Sequence, residues 1–406
     1  MIMKKGLALI LTAAILASIM SGCETAATGD SSAMETSATE TSATESSAPE
    51  TSAPETSAPE TSAPETSAPE TSAVETSVPE TSAPETSAPE TSELETSSVD
   101  EPETTDYTAK YPLSNPNADV HAQKVYDYLC DNFGTYMLSC QQESTWMSSP
   151  DYEMDIIEEA TGKLPAMRGL DFMNGDFAGV VKRSKQWHEK GGLVTICWHT
   201  GINGKGYNES LNDMPDFDKL LTPGTNEYNA MIANWDKAAE ALAELRDAGI
   251  PVLWRPFHEF DGGWFWWGKK GGTNFIKLWQ MMYDRYTNEF GLTNLIWVLG
   301  YSGEVKNGWY PGDDYCDIIG SDTYDNSTHK AGYDKLAAMN TGKPMAFHEC
   351  GNLPRVDRFE TDGAVWSWFM VWHTDYIANQ NKTNLSMVYN SELVITLDEL
   401  PKELFE

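Results

Sequence analysis

The chain has 406 residues and a formal net charge of −35, from 62 Asp and Glu against 27 Lys and Arg. So much acid argues against nucleic acid or an anionic lipid surface as the partner of a folded part, while neutral ligands stay open. The length exceeds one ordinary domain, and the acidic residues are unevenly spread.

Residues 1–23 read as a secretory leader: Lys4 and Lys5, the apolar run Leu7 to Met20, then Ser21-Gly22-Cys23. Small residues leading into a cysteine resemble the bacterial lipobox, with Met20 where that pattern usually has Leu. The resemblance implies a lipid on Cys23 and an enzyme held outside the cell on a bacterial membrane. The apolar run is too short for a spanning helix, and no later stretch approaches the ~20 apolar residues a span needs. From Glu24 to Asp106 the chain is low-complexity, with Glu-Thr-Ser-Ala-Pro recurring about every five residues between Glu50 and Glu90. This stretch carries 17 Glu, 3 Asp and no Lys or Arg. It cannot bury enough apolar area to offset ordering entropy, so a disordered linker is expected, spanning roughly 50 Å if flexible.

The remaining residues, Tyr107 to Glu406, alternate between helical periodicity and short apolar runs. Val120 to Phe133 is helix-like and precedes a first strand, Tyr136 to Gln141. Asp151 to Thr161 is helical and leads to a second strand, Pro165 to Asp171; Gly175 to Lys190 leads to a third, Gly192 to His199. An insertion rich in Gly, Asn and Asp runs from Gly201 to about Thr225, and the helix Glu227 to Ala248 leads to a fourth strand beginning at Val252. Thr273 to Glu289 is helical, Asn294 to Tyr301 is a fifth strand and Asp317 to Tyr324 a sixth. Gly332 to Asn340, the seventh strand Lys343 to Gly351, the eighth Gly363 to His373 and a final helix complete the chain. Eight such strands in about 300 residues predict a (β/α)8 TIM barrel, with a doubly wound open sheet as the alternative. The polar residues favour the barrel. His199, His258 with Glu259, Tyr301, Asp322 with Tyr324, His348 with Glu349, and Trp372 with His373 all stand at strand C-termini, the face where such barrels carry their sites. Five cysteines remain in this part, an odd number without zinc spacing; buried thiols are expected, and Cys130 with Cys140 is the one pair placed to form a disulfide.

The fourth strand ends in Arg255, His258 and Glu259 and is followed by Gly-Gly-Trp264-Phe-Trp-Trp267. Flat apolar faces beside a carboxyl suit a sugar, whose ring carbons stack while its hydroxyls hydrogen-bond. The bland alternative is a core strand with Glu259 paired to Arg255 and the tryptophans buried. Two glutamates at the ends of strands four and seven would share one mouth, and their separation would decide between a retaining glycosidase, at ~5 to 5.5 Å, and an inverting one, at ~6.5 to 9.5 Å.

The run Arg255-Pro-Phe-His-Glu259 followed by Gly263-Trp-Phe-Trp-Trp-Gly268 resembles the acid/base signature of glycoside hydrolase family 26. That family holds mostly endo-β-mannanases among the βα-barrel retaining glycosidases. The resemblance implies that Glu259 is the acid/base and Glu349 the nucleophile. It also implies that His199 and His258 line the subsite of the attacked sugar, with Tyr324 bonded to the nucleophile and Trp372 beneath that sugar. Trp264 and Trp267 look like further stacking residues, and Arg255 joins the binding set. Where several mannanases of the family have Arg after the eighth-strand tryptophan, this chain has His373. For these roles Glu259 needs a raised pKa, which a wall of tryptophans would supply, and Glu349 must stay ionised, which Tyr324 would favour.

The rivals lack their motifs. Neither His258-Glu259 nor His348-Glu349 extends to the HExxH helix of a zinc hydrolase, no GxSxG elbow is present, and Asp313, Asp314 and Asp317 lack the spacing of a calcium loop. The expectation is therefore a retaining endo-β-1,4-mannanase, monomeric and without cofactor or metal, acting on a β-linked polysaccharide. β-1,3-1,4-Glucanase or β-1,3-xylanase activity, or a non-catalytic glycan-binding lipoprotein, are the alternatives.

Overall fold

Each predicted apolar run can bury both of its faces, which is what a parallel strand between a barrel interior and a surrounding helix requires. The computed structural model describes residues 107–406; the leader, Cys23 and the linker lie outside the described residues. The helix α1 (Val120–Asn132), capped by the Asp119 side chain on Ala122 N–H, precedes strand β1 (Met137–Gln142). Then follow α2 (Tyr152–Thr161), β2 (Met167–Asp171), α3 (Phe177–Glu189) and β3 (Leu193–Cys197). The insertion after β3 is partly ordered into two short helices, α4 (Tyr207–Asn212) and α5 (Phe217–Leu220), before α6 (Asn226–Asp247) and β4 (Val252–Arg255). Beyond α7 (Gly272–Asp284) come β5 (Leu295–Tyr301), β6 (Ile318–Thr323), α8 (Lys330–Ala338) and β7 (Met345–Cys350). The four-residue α9 (Phe359–Asp362) leads to β8 (Trp368–Val371), α10 (Asp375–Ala378) and α11 (Lys382–Tyr389).

Strands β1 to β8 pair in parallel in chain order, and β8 pairs with β1 to close the barrel, so the predicted fold is the observed one. Alternate residues of each strand fall into two apolar clusters. Leu138, Met167, Leu193, Leu253, Ile296, Ile318, Ala346 and Trp368 belong to the inner one, while Met137, Val194, Val252, Trp254, Trp297, Ile319 and Phe369 pack outward against the helices. Two expected elements differ. The eighth strand begins at Trp368, not Gly363, because buried loop residues such as Ala364 and Trp366 read as strand by hydropathy alone. The chain does not end on a helix: after α11 a two-residue strand β9 (Val394–Ile395) adds in parallel to Met137 and Leu138, and the last residues form 3-10 turns.

The upper interior layer is polar and tightly fitted. Arg255 points inward from the end of β4, its Nε donating to Thr195 Oγ1 (3.1 Å) and one terminal nitrogen lying 3.4 Å from His348 Nδ1. A Cβ on Gly300 would meet His348 Nε2 at 2.6 Å, so β5 must carry glycine there for that imidazole to fit. The expected Cys130–Cys140 disulfide does not form; both are free thiols, as are Cys197, Cys316 and Cys350. Asp317 is likewise committed to the fold, accepting backbone N–H from Ser114 (2.6 Å) and Trp297 (2.7 Å), which removes it from any calcium cluster with Asp313 and Asp314.

Candidate active site

β4 ends at Arg255, and the turn beyond it carries Glu259 into the barrel mouth by an unusual backbone path. Phe257 (φ 50°) and Glu259 (φ 52°) both adopt left-handed conformations, which cost non-glycine residues of order 1 kcal/mol or more and persist only where the surroundings impose them. The surroundings do so. Glu259 N–H donates to Gly300 O (2.7 Å), Trp267 Nε1 to His258 O (2.9 Å), Trp266 Nε1 to Thr200 O (2.8 Å), and Asp261 accepts N–H from Ser302 (2.7 Å) and Lys306 (2.9 Å). The aromatic cluster thus divides its labour. Trp266 and Trp267 are fully buried, with Trp267 stacked on Phe265 at 4.5 Å, so the expected sugar contact of Trp267 is not available. Trp264 is exposed and donates from Nε1 to Glu259 Oε2 (2.8 Å).

Glu349, at the end of β7, faces Glu259 across the mouth. With Asp322 of β6 the two form a cluster whose carboxylate oxygens lie within 4.8 Å of one another. Arg255 Nη1 (3.2 Å) and Tyr324 OH (3.2 Å) donate to the two oxygens of Glu349. The ion pair drawn from sequence between Arg255 and Glu259 is therefore made with Glu349 instead, and Arg255, wholly buried, reaches the site from beneath. His199 and His258 stand side by side with Nε2 atoms 3.1 Å apart, and His258 Nε2 lies 3.7 Å from Glu349 Oε1.

A cavity of about 460 Å³ opens above the carboxyls, and His199, His258, Glu259, Tyr324, Glu349, Trp372 and His373 all line it. It also takes in Glu143, Trp146, Asp171, Met173 and Tyr207, which the sequence did not single out. Asp171 was open to detection, being the polar end of an apolar strand like the others. Trp146 sits on a loop and Tyr207 opens the six-residue α4, neither of which shows a periodicity. Trp146 packs edge-on against His373 at 4.7 Å with half its surface exposed, making an aromatic wall beside Trp372. His348 and Tyr301 stand at strand ends too, but His348 faces inward with Nε2 3.0 Å from Tyr301 O, the Tyr301 ring packs outward on Phe260 at 4.6 Å, and neither borders the cavity.

The electrostatics depart from the expected division. Burial, and then the charge of Glu259, push Glu349 up to about 7, although Arg255 and His199 pull the other way. Asp322 is pushed well above the carboxylate range by burial and by Glu259. Three carboxyls this close cannot all ionise, so the cluster retains a proton at neutral pH. Neither this cluster nor Asp171 with Cys197 and His199 offers a free donor set for a metal. Arg255 already occupies Glu349, and Asp171 already binds His199 Nδ1 (2.6 Å). What the mouth can do is hold a sugar between aromatic faces with one carboxyl on each side of its anomeric carbon. With one oxygen of each carboxyl within 4.8 Å of the other, the gap fits direct attack by a carboxylate.

Residues 114–399 match the model of glycosyl hydrolase family 26. A mannan endo-1,4-β-mannosidase of Thermothelomyces thermophilus is 36% identical over 71% of this chain and 63% of its own length; mannan endo-1,4-β-mannosidase B of Piromyces is 32% identical over 71% and 53%. The chain thus spans between about half and two thirds of these relatives. Among solved structures, the β-mannanase from a symbiotic protist of the termite Reticulitermes speratus, complexed with gluco-manno-oligosaccharide, aligns with a TM-score of 0.66. It shares 32% identity and covers 73% of this chain and 99% of its own. The β-(1,4)-mannanase of Podospora anserina aligns with the same TM-score, at 33% identity over 74% and 71%.

Proposed function

Because the chain belongs to glycosyl hydrolase family 26, we propose that it hydrolyses internal β-1,4 bonds of mannan-type polysaccharide with retention of configuration. The observation that carries this reading is the opposition of Glu259 and Glu349 within 4.8 Å, each reached from a different strand. Glu349 attacks the anomeric carbon while Glu259 passes its proton to the departing glycosidic oxygen, leaving a glycosyl ester on Glu349. Glu259, now a carboxylate, takes a proton from water; that water attacks the same carbon and frees Glu349. Tyr324 and Arg255 hold the attacking carboxylate, and Trp264 fixes the rotamer of Glu259.

The names of the relatives support mannan as substrate, and the test is reducing-sugar release from mannan, glucomannan, galactomannan, lichenan and β-1,3-xylan. Release from mannans is expected. Release from lichenan or xylan alone would overturn the substrate, and binding without release from any glycan would overturn the enzyme. On the same panel Trp146→Ala should raise KM about five- to tenfold with little change in kcat, the worth of one stacking face. An unchanged KM would show that the sugar chain leaves by another route.

The position of Glu349 near 7 sets a pH dependence. Attack requires the ionised form, so kcat/KM should fall as pH drops through neutrality, above the ordinary carboxylate range. In Glu259→Gln the neighbouring negative charge is gone, and the acid limb should move to lower pH. The measurement uses a 2,4-dinitrophenyl β-mannobioside, whose leaving group needs no proton; a stationary limb would disprove the coupling.

The leader-like run, the cysteine at its end and the acidic low-complexity stretch support an enzyme tethered outside the cell. Labelled palmitate should enter the wild-type protein and not Cys23→Ala; equal labelling of both would remove the anchor.

A further inference from the structure

Asp171 takes no part in the chemistry above, yet it begins a hydrogen-bonded chain through His199 to His258, whose ring stands against Glu349 without a hydrogen bond to it. Its Oδ1 accepts the backbone N–H of His199 (3.0 Å), and its Oδ2 lies 2.6 Å from His199 Nδ1. His199 Nε2 lies 3.1 Å from His258 Nε2, which in turn lies 3.7 Å from Glu349 Oε1. We propose that Asp171 is a positioning residue: it fixes the orientation of His199 and the placement of its ring protons, one toward Asp171 and one toward His258, one imidazole away from Glu349. The inference rests on the glycosidase reading and extends it to a residue that need not touch the attacked bond.

The protons can be assigned from the contacts. A carboxylate can only accept, so His199 Nδ1 carries hydrogen. Two facing ring nitrogens at 3.1 Å share a single proton, since two would clash and none would leave lone pairs opposed. Burial disfavours charge on either ring. For His199 this is overcome by Asp171, with Glu349 and Glu259 adding to it, and its pKa lies above the ordinary value; burial, His199 and Arg255 drive His258 well below. His199 is therefore the ring on which the second proton is favoured, donating from Nδ1 to Asp171 and from Nε2 to His258. The groups around it are Asp171 from β2, Cys197 on its own strand, Tyr207 from α4, His258 and Glu259 beyond β4, Glu349 from β7 and His373 beyond β8. Among these only Asp171 bonds His199 directly as an anion. A positive charge on His199 opposes the burial that would otherwise neutralise Glu349.

Asp171→Asn keeps the shape and removes the charge. Relative to wild type on the mannan that the panel identifies, kcat/KM at pH 8 should fall about 10- to 100-fold, the worth of one charge-assisted hydrogen bond. The alkaline limb should move to lower pH by about one unit, because His199 loses the anion that retains its proton. A merely structural role would lower activity equally at all pH values and leave the limb in place. Adding Asp171→Asn to His199→Gln should cost nothing further, since the aspartate acts only through that ring. Ring ¹⁵N shifts report the same point without reference to turnover: His199 should be an imidazolium at pH 7 in the wild type and neutral in Asp171→Asn. A neutral His199 in the wild-type spectrum, an unmoved limb, or additive losses in the double variant would each overturn the proposal, whereas inactivity of the wild type on every glycan would instead overturn the glycosidase reading.

Discussion

Glu349→Ala is expected to lower kcat by roughly five to six orders of magnitude, the scale on which a covalent nucleophile is lost, while leaving the fold intact. The carboxylate has no substitute. In the proposed mechanism Glu259 must stay on the other face of the sugar to protonate the leaving oxygen, and burial pushes the carboxyl of Asp322, although within 4.8 Å of both, well above the ordinary carboxylate range. Azide supplies the decisive measurement. Added to Glu349→Ala with an activated β-glycoside, it should fill the vacated space and give the α-glycosyl azide. In Glu259→Ala it should intercept the ester and give the β-glycosyl azide. The reverse pairing of products would exchange the two roles, and failure of azide to rescue either variant would remove the double displacement.

The second large effect is expected from Arg255→Met. Its guanidinium is wholly buried, Glu349 is nearly so, and their 3.2 Å contact is the one full ion pair the nucleophile makes. Removing one partner of a buried pair leaves the other charge uncompensated, at a cost of about 3–5 kcal/mol. For a domain of this size that corresponds to a fall in Tm of roughly 5–8 °C. The pH dependence follows from the sign of the shift. Glu349 sits above its ordinary value in the folded protein, so its ionisation costs stability as pH rises from about 4.5 to about 7. Arg255 pulls that value down, and without it the cost extends to higher pH. The Tm deficit of Arg255→Met should therefore be larger at pH 8 than at pH 5, with the acid limb of kcat/KM displaced upward. A deficit independent of pH would mean that Arg255 serves packing alone.

The barrel was legible because its strands bury both faces, so each appears as an unbroken apolar run, and because the polar residues that end those runs fall on one rim. The opposition of Glu259 and Glu349 could be drawn from strand order before any distance was known. Side-chain direction could not. Arg255 and Glu259 are four residues apart, but the left-handed path through Phe257 and Glu259 turns the glutamate outward while Arg255 stays inside with Glu349, 94 residues away. In Trp264-Phe-Trp-Trp267 composition announces an aromatic wall without saying which rings face the cleft; Phe265 lines it, Trp264 stands exposed with its Nε1 on Glu259, and Trp266 and Trp267 support the turn. The part of the cavity wall formed by Trp146, Tyr207 and Met173 is built by loops and by helices too short to carry a period, so it came only from coordinates.

The twisted backbone under Glu259 bears on how this protein can change over generations. Two adjacent-but-one residues sit where glycine or asparagine would rest more easily; Phe257 is kept there by its packing on Trp235, Trp266 and Trp267, whereas the Glu259 side chain is kept for the proposed turnover. On the proposed mechanism, a lineage released from hydrolysis would gain thermal robustness by letting position 259 drift to glycine. For the engineer the same spot is a warning: ranking variants by melting temperature alone will favour those that have lost the acid.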